Sequence, residues 1–344
     1  FREGVKMSYP RHVNEDSYTL LNLPGIESAL ARVEEELRIA VKADEPLLTK
    51  LSRHLIDAGG KRIRPSLAIA SSQILEDKPV APSREVILGG VAVELVHQGS
   101  LYHDDVMDGA KTRRNVKSVN EEWGNHEAIL GGDYLLARAS EIAAGLGAEV
   151  AGLLASTIAA LCEGQIREVN SAYDITRTED AYMSSISGKT GALLSASAKV
   201  GAIVSAYPED VIKAVTTFGN LYGIAFQIVD DLLDVMASEK ELGKPSGNDM
   251  LEGVYTLPVI RALKGTNGEV LKDLLSNPIN SDKRDEALKL VRSDEAIVST
   301  VETALSFTNE AQQSLKDLPD NPTAQILKST CTILANQINH YKNN

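Results

Sequence analysis

Apolar residues along this chain recur at helical spacing. Ile26, Leu30, Val33, Leu37 and Val41 step by three and four, a stripe opened by Pro24-Gly25. Leu47, Leu48, Leu51 and Leu55 form a second stripe, started by Pro46 and stopped at Gly59-Gly60. The loop GGKRIRP follows, and its Pro65 suits the first turn of another helix. Residues 83–108 differ in being apolar around nearly the whole circumference, the mark of a central helix wrapped by others. Segments 126–145, 148–172, 178–188, 190–206 and 208–236 also read as helices, the last again apolar all round. Residues 237–253 are rich in Gly, Lys, Pro, Ser and Asp and read as a functional loop or lid. Beyond Thr256-Leu257-Pro258 amphipathic helices continue to about Tyr341, and no segment shows sustained strand alternation. The pattern predicts an all-α, single-domain helical bundle over residues 24–344, preceded by a flexible arm over residues 1–23.

Composition narrows the function. A formal charge of −13 argues against a nucleic-acid partner and against a polybasic membrane anchor. The two cysteines, Cys162 and Cys331, form no disulfide framework or zinc site and suit a reducing cytosol. No apolar run reaches the roughly 18 residues of a membrane span. The expectation is a cytoplasmic protein with at most peripheral membrane contact.

The two central helices each carry an acidic cluster of one pattern, DDVMD at 104–108 and DDLLD at 230–234. Positions four apart share a helix face, so Asp104 projects with Asp108, and Asp230 with Asp234. Like charges so placed on apolar helices repel and need a positive partner. Divalent metal fits, because all-oxygen sites suit Mg²⁺, which binds one or two carboxylates and completes its shell with substrate phosphates. The basic residues supply the other half of a diphosphate clamp. Lys61, Arg62 and Arg64 lie in the glycine-hinged loop, Arg113 and Arg114 follow the first acidic cluster, and Lys189 and Lys244 fall near predicted helix ends. Apolar helices beneath them would form a hydrocarbon pocket. Tyr102 and Phe226 fit either that pocket or ordinary core.

These stretches resemble the trans-isoprenyl (polyprenyl) diphosphate synthases. The likeness runs from about Gly59 to Pro258 through GGKRIRP, HDDVMD…RR, GGDYLL, the EGQ segment, SGKTGALL and FQIVDDLLD…GKPSGNDM, in the family's order. The resemblance implies an isoprenoid-synthase bundle around a central hydrophobic cavity. It also implies a prenyltransferase that condenses isopentenyl diphosphate onto an allylic prenyl diphosphate by ionisation, condensation and proton elimination. The implied catalytic set is Asp104, Asp105, Asp108, Arg113, Lys189, Asp230 and Lys244. The implied metal ligands are Asp104, Asp108 and Asp230, with Asp231 and Asp234 assisting, holding about three Mg²⁺. Lys61, Arg64, His97 and Arg114 match the isopentenyl-diphosphate binders. Arg113, Lys189, Thr190, Gln227 and Lys244 match residues around the allylic diphosphate. The chain departs from the family at Asn115, where Gly is common, and at Val254, where lysine is common.

Gly99 and Ser100, one turn before Asp104, stand where short-chain members carry bulky aromatics. Gly99 is therefore expected to leave an open shaft and a product longer than C15; the bland alternative is that it merely permits close helix packing. The resemblance further implies a homodimer, with a small partner subunit possible. Two other readings are a class I terpene cyclase, disfavoured by the second DDxxD and the GGKRIRP loop, and a non-catalytic subunit of a heteromeric synthase, disfavoured by two intact acidic motifs.

Overall fold

The computed structural model describes residues 19–238, 245–339 and 341. Its elements are helical apart from one short hairpin. The first half comprises α1 (Ile26–Ala40), α2 (Pro46–Asp57), α3 (Ile63–Ser71) and α4 (Arg84–Met107). The hairpin β1 (Thr112–Arg113) and β2 (Val116–Lys117) is followed by α5 (Val119–Trp123), α6 (Asn125–Leu146), α7 (Ala148–Asn170) and α8 (Glu179–Ile186). A π-helical turn, Ser187–Gly191, leads directly into α9 (Ala192–Val204), and α10 (Glu209–Met236) follows. The remainder is α11 (Asn248–Leu251), α12 (Leu257–Ala262), α13 (Gly268–Leu275), α14 (Ser281–Arg292), α15 (Ala296–Ser314) and α16 (Pro322–Ile338).

The two oily helices are central, as their patterning requires. α4 packs against α3, α6 and α9, and α10 against α9 and α15, so α9 lies between them. Close approach depends on a missing side chain: a Cβ at Gly201 of α9 would run into the Ala68 carbonyl of α3. The expectation for residues 1–23 needs correction over 19–23, the part that is described. Thr19–Asn22 form a 3-10 turn, and Leu20 and Leu23 are buried in the core, so apolar burial anchors this stretch. The far end is fixed as well: the Asn321 side chain caps α16 through Ala324 N–H and donates to the Ile74 carbonyl at 2.7 Å.

A buried ionic network sets the GGKRIRP loop. Arg62 is 4% exposed and bridges Glu34 on α1 (Nε, 2.5 Å) and Glu94 on α4 (Nη1, 2.9 Å), while Nη2 donates to the Ile56 carbonyl at 3.0 Å. Gln98 adds a bond to Glu94 at 2.6 Å. With every branch of the guanidinium engaged, Arg62 is a structural strut, and its flanking residues Lys61 and Arg64 are held where it holds them. Gly201→Ala should lower stability by about 2–3 kcal/mol, seen in urea melts as a lower midpoint with an unchanged slope. An unchanged midpoint would mean that α3 and α9 can part without cost.

Candidate active site

The two acidic clusters lie at the C-terminal ends of α4 and α10, where helix dipoles are negative, and neither helix has a basic residue in its last turn. Burial raises the Asp104 carboxyl, which Lys189 and Arg113 oppose and Glu168 and Asp105 reinforce. Asp108 is raised by burial and by Asp104 and Glu252, with Lys189 and Arg113 opposing. Glu168 belongs to both clusters, since its charge also raises Asp231. Lys189 Nζ pairs with Glu168 at 2.8 Å and attracts Asp104 and Asp108.

Two glycines make that bridge. A Cβ on Gly164 of α7 would stand 2.8 Å from Lys189 N, and one on Gly188 would stand 2.9 Å from the Ala160 carbonyl. Their absence lets α7 lie directly on the π turn, bringing Glu168 to Lys189. Sequence reasoning placed Lys189 near a helix end; it sits inside a continuous helical run, Glu168 belongs to the EGQ segment already singled out, and Glu252 was missed as a member of the site.

The aspartates divide by role. Asp104 is half-buried and Asp108 exposed at the end of α4, and Asp230 is exposed on α10. Asp105 is fully buried, and its Oδ1 accepts from Arg113 Nε and Nη2 at 2.6 Å each. It supports Arg113 and does not face the solvent side of the cluster. Asp231 and Asp234 are buried too and serve as internal anchors. Asp231 accepts from Tyr182 O–H at 2.6 Å and Gln227 Nε2 at 2.8 Å, and burial pushes its carboxyl up to about 7. Asp234 takes the Gly247 N–H on its carbonyl (2.8 Å) and the Asp249 N–H on Oδ2 (3.4 Å), fastening the segment before α11. Both carboxylates thus position neighbouring segments of the fold. Thr190 Oγ1 donates to Gln227 Oε1 at 2.8 Å, so the expected pair is indeed together. Lys244 lies outside the described residues.

The basic cluster gathers on the other flank. Arg114 lies in the left-handed region (φ 52°) at the hairpin tip with Asn115 (φ 64°). A two-residue turn with both φ positive explains Asn115, the side chain that best tolerates that region after glycine. Arg114 Nη1 donates to the Leu55 carbonyl (2.8 Å) and to that of Gly59. Arg64 is pushed down to about 10 by burial, with Glu94 opposing and Arg114 assisting, and its buried Nε has no hydrogen-bond partner. His97 is held well below its ordinary value by burial and by Arg64, Arg114, Arg113 and Arg62, so it is neutral. Cations crowded this way call for an anion.

The chain-length expectation changes. A Cβ on Gly99 would lie 3.0 Å from the Gly132 carbonyl and 3.1 Å from Leu136 Cγ, so Gly99 faces α6 and serves close helix packing, not an open shaft. Ser100, three residues after His97 and four before Asp104, shares their face and donates to the His97 carbonyl at 2.9 Å. Tyr102 is core: fully buried, with its hydroxyl on the Leu51 carbonyl at 2.6 Å. Phe226 is partly buried against Tyr222. Val254 gives its N–H to the Asp249 carbonyl at 2.8 Å, a bond lysine would also make.

The sequence profile described as "Polyprenyl synthetase" matches residues 45–291. The chain belongs to the polyprenyl synthetase family. It is therefore an enzyme, a polyprenyl-type transferase. A nonaprenyl diphosphate synthase of Mycobacterium tuberculosis is 35% identical over 305 residues, covering 88% of this chain and 90% of that one. A heptaprenyl diphosphate synthase component 2 of Bacillus subtilis is 34% identical, covering 83% of this chain and 82% of that one. The crystal structure of a polyprenyl synthase from Caulobacter crescentus, complexed with calcium and isoprenyl diphosphate, superposes with a TM-score of 0.84 at 27% identity. It covers 92% of this chain and 96% of that one.

A divalent cation fits the donors present. Asp104 and Asp108 at the end of α4 and exposed Asp230 on α10 offer hard oxygens, and burial and neighbouring carboxylates raise Asp104 and Asp108 in a way that a nearby cation would relieve. Among the described residues no helix is long and apolar enough to cross a membrane.

Neutral His97 gives a pH test. Its folded pKa is depressed, so below the ordinary value of 6.5 the unfolded chain takes a proton that the folded one refuses, and stability falls. The raised carboxyls act with the opposite sign and cancel in a comparison of variants. Between pH 7.5 and 5.5, wild type should lose more Tm than His97→Gln. Equal losses would show that His97 protonates freely in the fold.

Proposed function

We propose that this chain condenses isopentenyl diphosphate head-to-tail onto an allylic prenyl diphosphate and elongates an all-trans product beyond C15. The observation that carries the reading is two charge fields joined at Arg113, which pairs with Asp105 and also acts on His97: exposed carboxylates at the ends of α4 and α10, and the cations Arg64 and Arg114 around neutral His97. Lys61, Arg64, His97 and Arg114 take the isopentenyl diphosphate. Lys189 and Arg113, both already placed by carboxylates, take the allylic diphosphate together with Lys244. Asp104, Asp108 and Asp230 hold about three Mg²⁺. Bound metal supplies Lewis-acid charge where the leaving diphosphate gathers it. The apolar faces of α4 and α10 exclude water from the cation left behind. Loss of a proton to the released diphosphate after condensation completes the cycle.

Product length rests on Ser100, because Gly99 is turned toward α6. A small hydroxyl between His97 and Asp104 leaves room for a tail longer than C15, in keeping with the nonaprenyl relative. A second copy of the chain is the partner we infer. Leu130 of α6 (63% exposed) and Ile166 of α7 (60% exposed) present apolar surface that a homodimer would cover. The component 2 relative favours a second arrangement, with a dissimilar subunit in that place.

Purified chain, labelled isopentenyl diphosphate and Mg²⁺ should give a ladder of products ending at one length above C15 with C10, C15 or C20 primers. Asp104→Asn and Asp230→Asn should each lower kcat by about 100- to 1000-fold. No incorporation with any primer would sink the reading for the chain alone. Ser100→Phe should shorten the final product while Mg²⁺ dependence is kept; an unchanged ladder would place the floor elsewhere.

A further inference from the structure

Asp231 is only 4% exposed, yet both of its oxygens are engaged from inside the protein. Oδ2 accepts from Tyr182 O–H at 2.6 Å, and Oδ1 accepts from Gln227 Nε2 at 2.8 Å. Gln227 then has one orientation left, its oxygen accepting from Thr190 Oγ1 at 2.8 Å. The line runs from α8 through α10 to the π turn. Asp230, one residue away and rotated by about 100°, is left to face outward.

Tyr182 has a second neighbour. The Arg177 guanidinium lies 5.5 Å from its ring centroid and is 5% exposed. Nη1 donates to the Tyr255 carbonyl at 2.9 Å, while Nε and Nη2 are buried with no hydrogen-bond partner. Among the described residues Arg177 makes no ion pair, although the Glu168 and Asp231 carboxylates attract it from a distance. An isolated buried cation is costly. What it provides here is positive potential beneath Asp231 and a charge on the phenol face, which strengthens the Tyr182 O–H as a donor.

We propose that Tyr182 and Arg177 are positioning residues for the allylic half of the site: through Asp231 they hold Gln227 and Thr190 in register. The proposal rests on the prenyl-transfer reading above and assigns these two side chains a place in it. Tyr182→Phe keeps the ring and its stacked cation and deletes only the donor. Loss of one charged hydrogen bond should raise KM for the allylic substrate and lower kcat, each by about tenfold. KM for isopentenyl diphosphate should stay within about twofold. Because Tyr182 acts through Asp231, the double variant Tyr182→Phe/Asp231→Asn should be no worse than Asp231→Asn alone. Arg177→Lys should keep more activity than Arg177→Met.

Calorimetry with farnesyl thiodiphosphate, which does not ionise readily, and Mg²⁺ supplies a readout independent of turnover. Tyr182→Phe should bind it about tenfold more weakly than wild type and bind isopentenyl diphosphate equally well. Wild-type kinetics and binding in Tyr182→Phe, a parallel rise in both KM values, or additive losses in the double variant would overturn the proposal. A wild-type chain that incorporates no isopentenyl diphosphate overturns the reaction instead, and the binding comparison still decides the brace.

Discussion

Two long buried helices end in carboxylates at the negative poles of their own dipoles, with no base in either last turn. Helix propensity and solvation both oppose that arrangement, and each charge so placed costs about 0.3–1 kcal/mol from the dipole alone. The fold answers with cations brought from elsewhere: Arg113 onto Asp105, Lys189 between Glu168 and the first cluster, Arg177 beneath Asp231. Asp108 stays raised by burial and by Asp104 even with Lys189 and Arg113 acting on it. The inner carboxylates are held from within the protein, and the outer ones, Asp108 and Asp230, are exposed where divalent charge would lie.

The opposite flank has the converse design. Arg62 is saturated by Glu34, Glu94 and the Ile56 carbonyl, and Arg114 is held through Nη1 by the carbonyls of Leu55 and Gly59. Their positions are fixed before any ligand arrives, so the ordering cost of long cationic side chains has been met by folding. Arg64 carries the surplus, a depressed guanidinium with a buried unpartnered Nε. One flank is rigid and hungry for an anion, and the other is rigid and hungry for a cation. A diphosphate with its metals satisfies both.

The helices and their central pair were legible because burial on all sides leaves a nearly continuous apolar run, as in Val91–Val96, which Glu94 alone interrupts. The clusters were legible because four-residue spacing fixes a shared face. What each side chain meets was not, since a partner helix decides it. Gly99 reads equally as a gap in a shaft or a gap at a helix contact, and only the backbone of Gly132 chooses. Asp231 belongs to the DDLLD pattern, but the hydroxyl that claims it comes from α8, nearly fifty residues earlier. The hairpin at 112–117 is too short to show alternation, and Leu20 and Leu23 are too few to announce an anchored turn.

Ser187–Gly191 has the composition of a linker, yet its wide turn is where α8 and α9 change phase. One additional residue in a helix rotates all later side chains by about 100°, and here that rotation presents Lys189 to Glu168 while Tyr182 still reaches Asp231. Loss of a single residue would restore a uniform helix and carry one of those two contacts out of reach. This small stretch is therefore constrained twice, in the glycines that let its neighbours approach and in the number of residues it contains.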